Sequence, residues 1–329
     1  VLDRLASLHE QDSFQSRRVG FHQGKTEAKW LYFFISHIYD SVLNPWHWDE
    51  TMRNAALKHA KFEPGDRCVD VGAGTGFTSE GVVRHLRNAS EQLVMLDQSL
   101  AQLAQAEKKR VLDGVPKLVG DAEALPANWT STFDRYTSAG SIEYWPAPHV
   151  GISEAFRVLR PGGRALMVGP VRPTFWLSRF FADLWYLFPE EQEYVKWFTD
   201  AGFQNVQVHQ VSPAWYDGDR SHGLIMGCIV VGDKSGSHGD LLAHPGKHAE
   251  NPPISSSSAS ASKQAWDTLM VPSRFLLGNL GGIYYALLPI GMFLRHHFGM
   301  PWFAVHVLTL LLLFWLMRWR GRKIKVKEV

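Results

Sequence analysis

The chain has 329 residues, of which 45% are apolar and 20% are charged. This composition supports a hydrophobic core and excludes disordered, collagen-like and disulfide-rich chains. The 34 Lys and Arg residues nearly balance the 32 Asp and Glu residues, for a net charge of +2, so the charge does not indicate a nucleic-acid-binding protein. The two cysteines, Cys68 and Cys228, lie in apolar runs and are predicted to be buried thiols rather than a disulfide or a metal pair.

Two regions follow one another in the first 234 residues. Residues 1–54 are predicted to form an N-terminal helical lid. From residue 55 to residue 234, β-branched apolar runs alternate with helical patterns, which is typical of a doubly wound, Rossmann-like α/β sheet. No helical pattern separates the last two strands, so an antiparallel hairpin is expected at the end of the sheet. The seven predicted strands are 67–71, 92–97, 117–119, 133–138, 164–169, 205–211 and 224–231.

The remaining residues differ in composition. Residues 235–266 contain four consecutive serines with nearby prolines, glycines and histidines, and are predicted to be a disordered linker. Residues 267–329 are predicted to form a membrane anchor. Its two apolar stretches, 275–294 and 298–317, are each about 20 residues long, the length of a helix that crosses a bilayer core.

The two stretches are not equivalent. The second is the more apolar and the stronger candidate for a span, whereas glycines and a proline in the first leave open a re-entrant or interfacial helix. A buried helical hairpin in a soluble domain is disfavoured because the polar linker is expected to isolate these helices from the main core. If both stretches span, the basic tail 318–329 returns to the side of the main domain.

A glycine-rich loop follows the first predicted strand. Asp70 precedes three alternating glycines, Gly72, Gly74 and Gly76. Glycine suits a sharp turn whose backbone approaches a ligand closely. A dinucleotide fingerprint would need glycine where the chain has Phe77, so a nicotinamide oxidoreductase is disfavoured. Asp70 is instead placed to accept hydrogen bonds from a ligand ammonium group.

Acidic residues also follow the next two predicted strands. Asp97 ends the second strand, where a carboxylate can accept hydrogen bonds from both hydroxyls of a ribose. Asp121 and Ala122 follow the third strand, where a carboxylate and a backbone N–H suit an adenine. Because the carboxyl ends of parallel strands meet at one edge of a sheet, these groups are expected to form one nucleoside site.

These motifs resemble those of class I S-adenosylmethionine-dependent methyltransferases over residues 55–234. The resemblance implies that Asp70 and the glycine loop surround the methionine part of S-adenosylmethionine, and that Asp97 binds its ribose. Asp121 and Ala122 are implied to contact its adenine. The further cofactor-binding residues in the implied set are Gln98 and Ser138.

A narrower resemblance lies outside the cofactor motifs. Residues 138–146, 169–181 and 222–228 are similar to the plastid methyltransferases of tocopherol and plastoquinone synthesis. The resemblance implies methyl transfer to a ring carbon of a prenylated benzoquinol, 2-methyl-6-phytyl- or 2-methyl-6-solanesyl-benzoquinol. It also implies a lipid bilayer as partner, in the plastid inner envelope, with the catalytic domain on the stromal side. The second apolar stretch departs from this family, which has one anchor.

The segment 174–198 is rich in aromatic residues. On a helix, one stripe would contain Trp176, Phe180, Leu184 and Phe188, and the next would contain Leu177, Phe181 and Trp185. This apolar surface is wider than a helix needs in order to pack on a sheet. An ordinary core remains one interpretation, and a prenyl-tail groove or a membrane-contact face is the other.

The chemistry calls for a base and no metal, because the sulfonium methyl group is already activated. A phenol has a pKa near 10, so a positioned base is expected to raise the rate by about 10²- to 10⁴-fold. The candidates are His47, His222 and Glu143. His47, in the expected lid, is the first choice, and His47→Ala is predicted to abolish turnover without changing cofactor affinity.

Two other functions remain open at this point. The sequence does not show the hydroxylation pattern of the acceptor ring, so the acceptor could be another isoprenoid quinol of the ubiquinone or menaquinone type. A non-catalytic membrane scaffold would be a different class of protein. The intact glycine loop and the three acids argue against a scaffold, which has no physical need of them.

Overall fold

The computed structural model of the chain describes residues 48–213, 227–236 and 261–322. The candidate bases His47 and His222 lie outside the described residues, as do most of the predicted lid and linker. Cys68 and Cys228 are buried free thiols, as predicted.

A seven-stranded sheet forms the centre of the main domain, which confirms the predicted fold class. Its strands are β1 Cys68–Val71, β2 Leu93–Asp97, β3 Lys117–Val119, β4 Phe133–Ala139, β5 Leu159–Gly169, β6 Gln204–Gln210 and β7 Cys228–Asp233. Their order is β3-β2-β1-β4-β5-β7-β6. The first five are parallel, and β7 is antiparallel to both β5 and β6, as the missing helical pattern predicted.

Helices connect and cover these strands. The α-helices are α1 Glu50–Leu57, α2 Phe77–Val82, α3 Ala89–Gln92, α4 Leu100–Ala106, α5 Pro148–Val158, α6 Trp176–Trp185, α7 Glu191–Ala201, α8 Ala261–Phe298 and α9 Trp302–Arg322. Short 3₁₀ helices occupy Lys58–Ala60, Val83–His85, Arg110–Leu112, Ala127–Trp129 and Ile142–Tyr144.

Strand β5 shows that both faces of the sheet are covered. Leu166 and Val168 pack with Trp48 and with α1 on one face. Ala165 and Met167, which alternate with them, belong to the larger core that includes residues of α5 and α7 on the other face. This alternation follows from the two-residue period of a strand, and it explains why the buried strands read as continuous apolar runs.

Strand β5 begins earlier than predicted. The sequence placed its start at residue 164, after a proline and two glycines at residues 161–163. In the structure α5 ends at Val158 and the strand starts at Leu159. Gly162 has a φ of +80° and donates its N–H to the carbonyl of Lys234 at 2.9 Å. The turn-forming residues are therefore held at the edge of the sheet by a partner that is distant in sequence.

The aromatic segment forms two helices rather than one. Helix α6 ends at Trp185, and Tyr186 has extended backbone angles (φ −134°, ψ 176°). Phe188 therefore does not continue the predicted stripe. Instead it is buried in a cluster with Phe181 and Tyr285.

Helix α8 packs directly against the main domain through α6. Gly281 and Gly282 allow this close approach: a Cβ on Gly281 would lie 2.5 Å from the carbonyl oxygen of Phe181, and one on Gly282 would lie 3.1 Å from the Trp185 ring. The Tyr285 hydroxyl donates to the Ser178 carbonyl at 2.8 Å. The expectation that the linker isolates these helices from the main core is therefore wrong.

The C-terminal helices also differ from the predicted stretches. Helix α8 begins at Ala261, so the last residues of the predicted linker are helical, and it continues through residues 295–297 to Phe298. The chain reverses at Gly299, where φ is +69°. Within the described residues one segment, Phe275–Phe298, has the length and apolarity to cross a membrane, with a mean hydropathy of 1.4, whereas the apolar part of α9, Trp302–Leu316, is shorter. Which of the two stretches crosses a membrane stays a prediction.

Candidate active site

The glycine loop lies between β1 and α2 at the carboxyl edge of the sheet. Gly72, Gly74 and Gly76 have φ values of 71°, 56° and 82°, a left-handed region in which only glycine is free of strain. The N–H of Gly72 donates to the Leu96 carbonyl at 2.8 Å, which folds the loop over the end of β2. A Cβ on Gly72 would lie only 2.3 Å from the Cβ of Ser141. The predicted turn is present, and its close approach to a ligand stays a prediction.

Asp70 lies beside this loop but is fully buried. Its Oδ2 accepts a hydrogen bond from the Ser79 hydroxyl at 2.5 Å, and its Oδ1 accepts one from the Thr137 hydroxyl at 3.0 Å. Burial raises the pKa of Asp70 to about 6. The carboxylate thus connects α2 to β4, a role that the sequence did not predict. Its contact with a ligand ammonium group stays a prediction.

Asp97 joins the end of β2 to the glycine loop. Its Oδ2 accepts from the Gly74 N–H at 2.9 Å, and its Oδ1 accepts from the Ser99 N–H at 2.7 Å. Burial raises the pKa of this carboxyl above its usual range. Each carboxylate oxygen has a second lone pair, so both can still accept from the two hydroxyls of a ribose.

Two glutamine side chains near Asp97 fit a polar ligand. The Oε1 atoms of Gln98 and Gln102 are buried and have no hydrogen-bond partner within the described protein. The Gln102 oxygen lies 3.9 Å from the position of a Cβ on Gly74. Because buried acceptors are nearly always paired, these oxygens point to a donor supplied by a ligand. The residues present therefore fit the nucleoside part of S-adenosylmethionine.

The loop after β3 completes this side of the site. Asp121 is half-buried, and its Oδ1 accepts from the Glu123 N–H at 2.9 Å. The Glu123 carboxylate accepts from the N–H of Ala147, and Ala122 is buried. The N–H of Gly120 donates to the Asp97 carbonyl at 3.0 Å, so the ribose and adenine positions predicted from sequence are adjacent.

The turn after β4 forms the opposite side of the glycine loop. Ser138 is buried, and its hydroxyl lies 2.7 Å from that of Ser141, the residue that faces Gly72. Glu143 follows in the next 3₁₀ helix, Ile142–Tyr144. Glu143 therefore lies two residues after Ser141, which faces the glycine loop at Gly72.

Glu143 has the properties of a reactive acid or base. Glu143 is only 6% exposed, and its Oε2 atom has no hydrogen-bond partner among the described residues. Burial raises the pKa of Glu143 to about 7, which is the range in which a carboxyl exchanges protons near neutral pH. A buried carboxyl group with an unpaired oxygen and a raised pKa is a typical mark of a functional site.

The residue after Glu143 and the Glu143 backbone both contact the segment that follows α6. The ring of Tyr144 packs edge-on against Tyr186, with centroids 4.4 Å apart, and the N–H of Leu187 donates to the Glu143 carbonyl at 3.4 Å. Both tyrosines belong to the apolar cluster that continues into α6 and α8. This aromatic, apolar cluster therefore begins at the residue next to Glu143.

Sequence reasoning missed three of these residues. Ser79 and Ser141 are small polar residues without a distinctive pattern. Ser79 donates to Asp70, nine residues earlier, and Ser141 faces Gly72, which lies several elements earlier in the chain. Gln102 lies in the first turns of α4, only five residues after Asp97, and this spacing was the available signal. The structure leaves His47 and His222 untested.

Comparisons with known proteins identify relatives of the chain. The methyltransferase domain family matches residues 69–167, which include the glycine loop and Glu143. A rice (Oryza sativa subsp. japonica) protein named 2-methyl-6-phytyl-1,4-hydroquinone methyltransferase 1, chloroplastic, is 50% identical over 276 residues, 84% of this chain and 79% of the relative. The Arabidopsis thaliana 2-methyl-6-phytyl-1,4-hydroquinone methyltransferase, chloroplastic, is 47% identical over 296 residues, 90% of this chain and 84% of the relative.

A solved structure supports the fold alone. The [4+2]-cyclase SpnF is similar with a TM-score of 0.53 at 19% identity, covering 66% of this chain and 98% of the cyclase chain. Because its identity is low and a fold hosts many chemistries, this likeness carries no conclusion about the reaction.

Proposed function

The chain belongs to the family of 2-methyl-6-phytyl-1,4-hydroquinone methyltransferases, and on this premise we propose that it methylates a ring carbon of a prenylated benzoquinol. The proposed acceptors are 2-methyl-6-phytyl- and 2-methyl-6-solanesyl-benzoquinol. The methyl donor of this methyltransferase is S-adenosylmethionine. The observation that carries the proposal is the identity with the plant enzymes, which extends on both sides of the methyltransferase domain.

The cofactor half of the site is built from the loops after β1, β2 and β3. Asp97, Gln98 and Gln102 would hold the ribose, and the glycine loop would pass beneath the methionine part. Asp121 and Ala122 would contact the adenine. When bound, S-adenosylmethionine supplies a methyl group that its sulfonium already activates, so the protein has to position the acceptor and remove a proton.

Glu143 is the base that the described residues support. Its carboxylate would accept the proton of a ring hydroxyl, and the resulting phenolate makes the ring carbon a better nucleophile. The pKa of about 7 leaves a large fraction of Glu143 ionised at neutral pH. The apolar surroundings exclude water and hold the ring near its reaction partner. His47 and His222 remain predicted alternatives for this role.

The proposed location is the plastid inner envelope, with a lipid bilayer as partner and the main domain on the stromal side. The chloroplast names of the relatives and the apolar segment Phe275–Phe298 support this location. An acceptor with a long prenyl tail resides in a membrane, so an enzyme attached to that membrane meets its substrate directly.

Methyl transfer to defined acceptors tests the proposal. Purified full-length protein would be incubated with methyl-labelled S-adenosylmethionine and detergent-dispersed quinols, and the lipid extract would be separated by chromatography. We expect label in the dimethylated phytyl or solanesyl benzoquinol. Preferential labelling of a demethylmenaquinone or a ubiquinone precursor would show a different acceptor class. No labelled quinol of any class, with cofactor still bound, would favour a scaffold.

A further inference from the structure

Helix α9 has its polar residues inside and its apolar residues outside. Along its outward stripe Phe303 is 72% exposed and Phe314 is 62% exposed, while His306 and Thr309 are buried against the protein. The His306 Nδ1 atom lies 2.7 Å from the Tyr284 hydroxyl of α8. A helix in water shows the reverse arrangement, whereas helices in lipid turn polar side chains toward the protein. The medium that fits the outer face of α9 is therefore lipid.

Helix α6 of the main domain presents an apolar face of the same kind. Trp176 and Phe180, one helical turn apart, are 69% and 53% exposed, and Arg179 is exposed between them. Aromatic rings flanked by a basic side chain are typical of a helix that lies at a membrane surface. In the part of the neighbouring α8 whose side chains are described, the exposed large apolar residues are Leu276, Ile290, Phe293 and Phe298.

Helices α6 and α8 are packed together and must share one environment. The Phe181 and Tyr284 rings stack with centroids 4.0 Å apart, in addition to the glycine contacts and the hydrogen bond from Tyr285 described above. These contacts lie in the interior of the apolar segment of α8. Lipid that surrounds α8 and α9 consequently extends to the outer face of α6.

The same contacts argue against a helix that crosses the whole bilayer. Gly281 lies six residues after Phe275, about 9 Å along the helix axis, so a perpendicular span would carry α6 well into a hydrocarbon core of about 30 Å. Helix α6 bears Asp183, which pairs with Arg172 at 2.8 Å. Charges at that depth are costly, whereas they are tolerated when the helices lie near the surface of one leaflet.

We propose that α6, α8 and α9 enter one leaflet of a lipid bilayer together, as a single lipid-facing surface that includes Trp176 and Phe180. This inference rests on the bilayer partnership of the proposed function and specifies its geometry. Helix α6 runs about 14 Å from Trp176 to Trp185, and the next residue, Tyr186, packs against the residue after Glu143. The prenyl tail of an acceptor therefore extends along α6 into the leaflet while its ring lies at Glu143.

Site-specific fluorescence on vesicles tests the placement. An environment-sensitive thiol dye would be attached to Phe180→Cys, Val307→Cys and Phe298→Cys variants of the full chain, with Val119→Cys on strand β3 as the exposed control. The native thiols Cys68 and Cys228 are buried. Quenching by spin-labelled acyl chains and by aqueous iodide would be measured on vesicles of phosphatidylcholine and phosphatidylglycerol.

The expected result is that the dyes at 180 and 307 are quenched by the lipid probes and shielded from iodide, while the dye at 119 is quenched by iodide. The dye at 298 should be accessible from the side that carries the main domain.

An iodide-accessible dye at 180 with a shielded one at 307 would overturn the role of α6 and leave the bilayer partnership intact. A dye at 298 accessible only from the vesicle interior would overturn the one-leaflet placement. Iodide access at both 180 and 307 would refute the bilayer partnership itself.

A double substitution separates lipid contact from chemistry. Trp176→Ser/Phe180→Ser should bind vesicles about tenfold more weakly, a change of about 1.4 kcal/mol, and should turn over a vesicle-borne acceptor correspondingly more slowly. Turnover of a short-tailed acceptor in solution should be unchanged. The matched control, Val111→Ser/Val119→Ser, removes two exposed apolar side chains elsewhere and should leave both rates unchanged. Equal vesicle binding by the two double variants would overturn the inference.

Discussion

Replacing Glu143 by glutamine should separate activity from stability. Burial raises the pKa of Glu143 from 4.5 to about 7, and each pKa unit corresponds to about 1.4 kcal/mol, so ionising this buried carboxyl costs the folded state about 3 kcal/mol. Below pH 4.5 Glu143 is protonated in the folded and the unfolded chain, and the folded state keeps its full stability. Between pH 4.5 and 7 the glutamate ionises in the unfolded chain while it stays protonated in the folded chain, so this stability is lost as the pH rises to 7. Glu143→Gln removes this loss because the amide does not ionise.

Two measurements at pH 8 follow from this. The free energy of unfolding of Glu143→Gln, from denaturant titration, should exceed that of the wild type by up to about 3 kcal/mol. The methyl-transfer rate, with labelled cofactor and a saturating quinol, should fall by about 10²- to 10⁴-fold, the usual contribution of a general base. In the wild type, kcat/KM should rise with pH with a midpoint near 7.

The control is Asp66→Asn, which alters another buried carboxyl whose pKa burial also raises but which pairs with Arg135 away from the cofactor loop. Its pH–rate profile should keep the wild-type midpoint. A Glu143→Gln variant that retains most of its activity, or keeps the same pH profile, would refute the assignment of Glu143 as the base and return attention to His47 and His222.

Three further predictions concern the cofactor loop and the α6–α8 contact. Gly72→Ala should abolish binding of S-adenosylhomocysteine by calorimetry, because its Cβ would overlap Ser141, whereas Gly162→Ala, with an equally positive φ but no atom near its Cβ, should bind normally; equal binding by both would contradict the close-approach argument. Asp97→Asn should weaken binding of the same ligand about 10- to 100-fold, because it disturbs the two hydrogen bonds from backbone N–H groups and removes a carboxylate acceptor for the ribose. An unchanged Kd would exclude Asp97 from ribose binding. Tyr285→Phe should lower the free energy of unfolding by about 1 kcal/mol through loss of one hydrogen bond, and unaltered denaturation curves would show that this bond contributes nothing.

The sequence predicted the fold class and the position of the cofactor loop because both depend on local patterns. Apolar runs with their two-residue and helical periods mark the strands and helices, and the spacing of Gly72, Gly74 and Gly76 marks a turn that needs positive φ. Asp97 and Asp121 were selected for a similar reason, since each lies at or just after the end of a strand, and their contacts with a cofactor stay predictions. The antiparallel pairing of β7 could also be predicted, because a missing helix excludes a parallel crossover.

Contacts between distant residues decided the rest. The first residue of β5, Leu159, pairs with Phe133 of β4, and Gly162 donates to the Lys234 carbonyl. Asp70 has its partners on α2 and β4. A local pattern shows none of these contacts. The pKa of Glu143 depends on burial, which only the packed surroundings determine. Helix α8 reads as an isolated apolar span in the sequence, but its glycines and tyrosines fit the surface of α6. The sequence alone determined which elements form, whereas the tertiary structure decided which side chains lose their water and what each of them contacts.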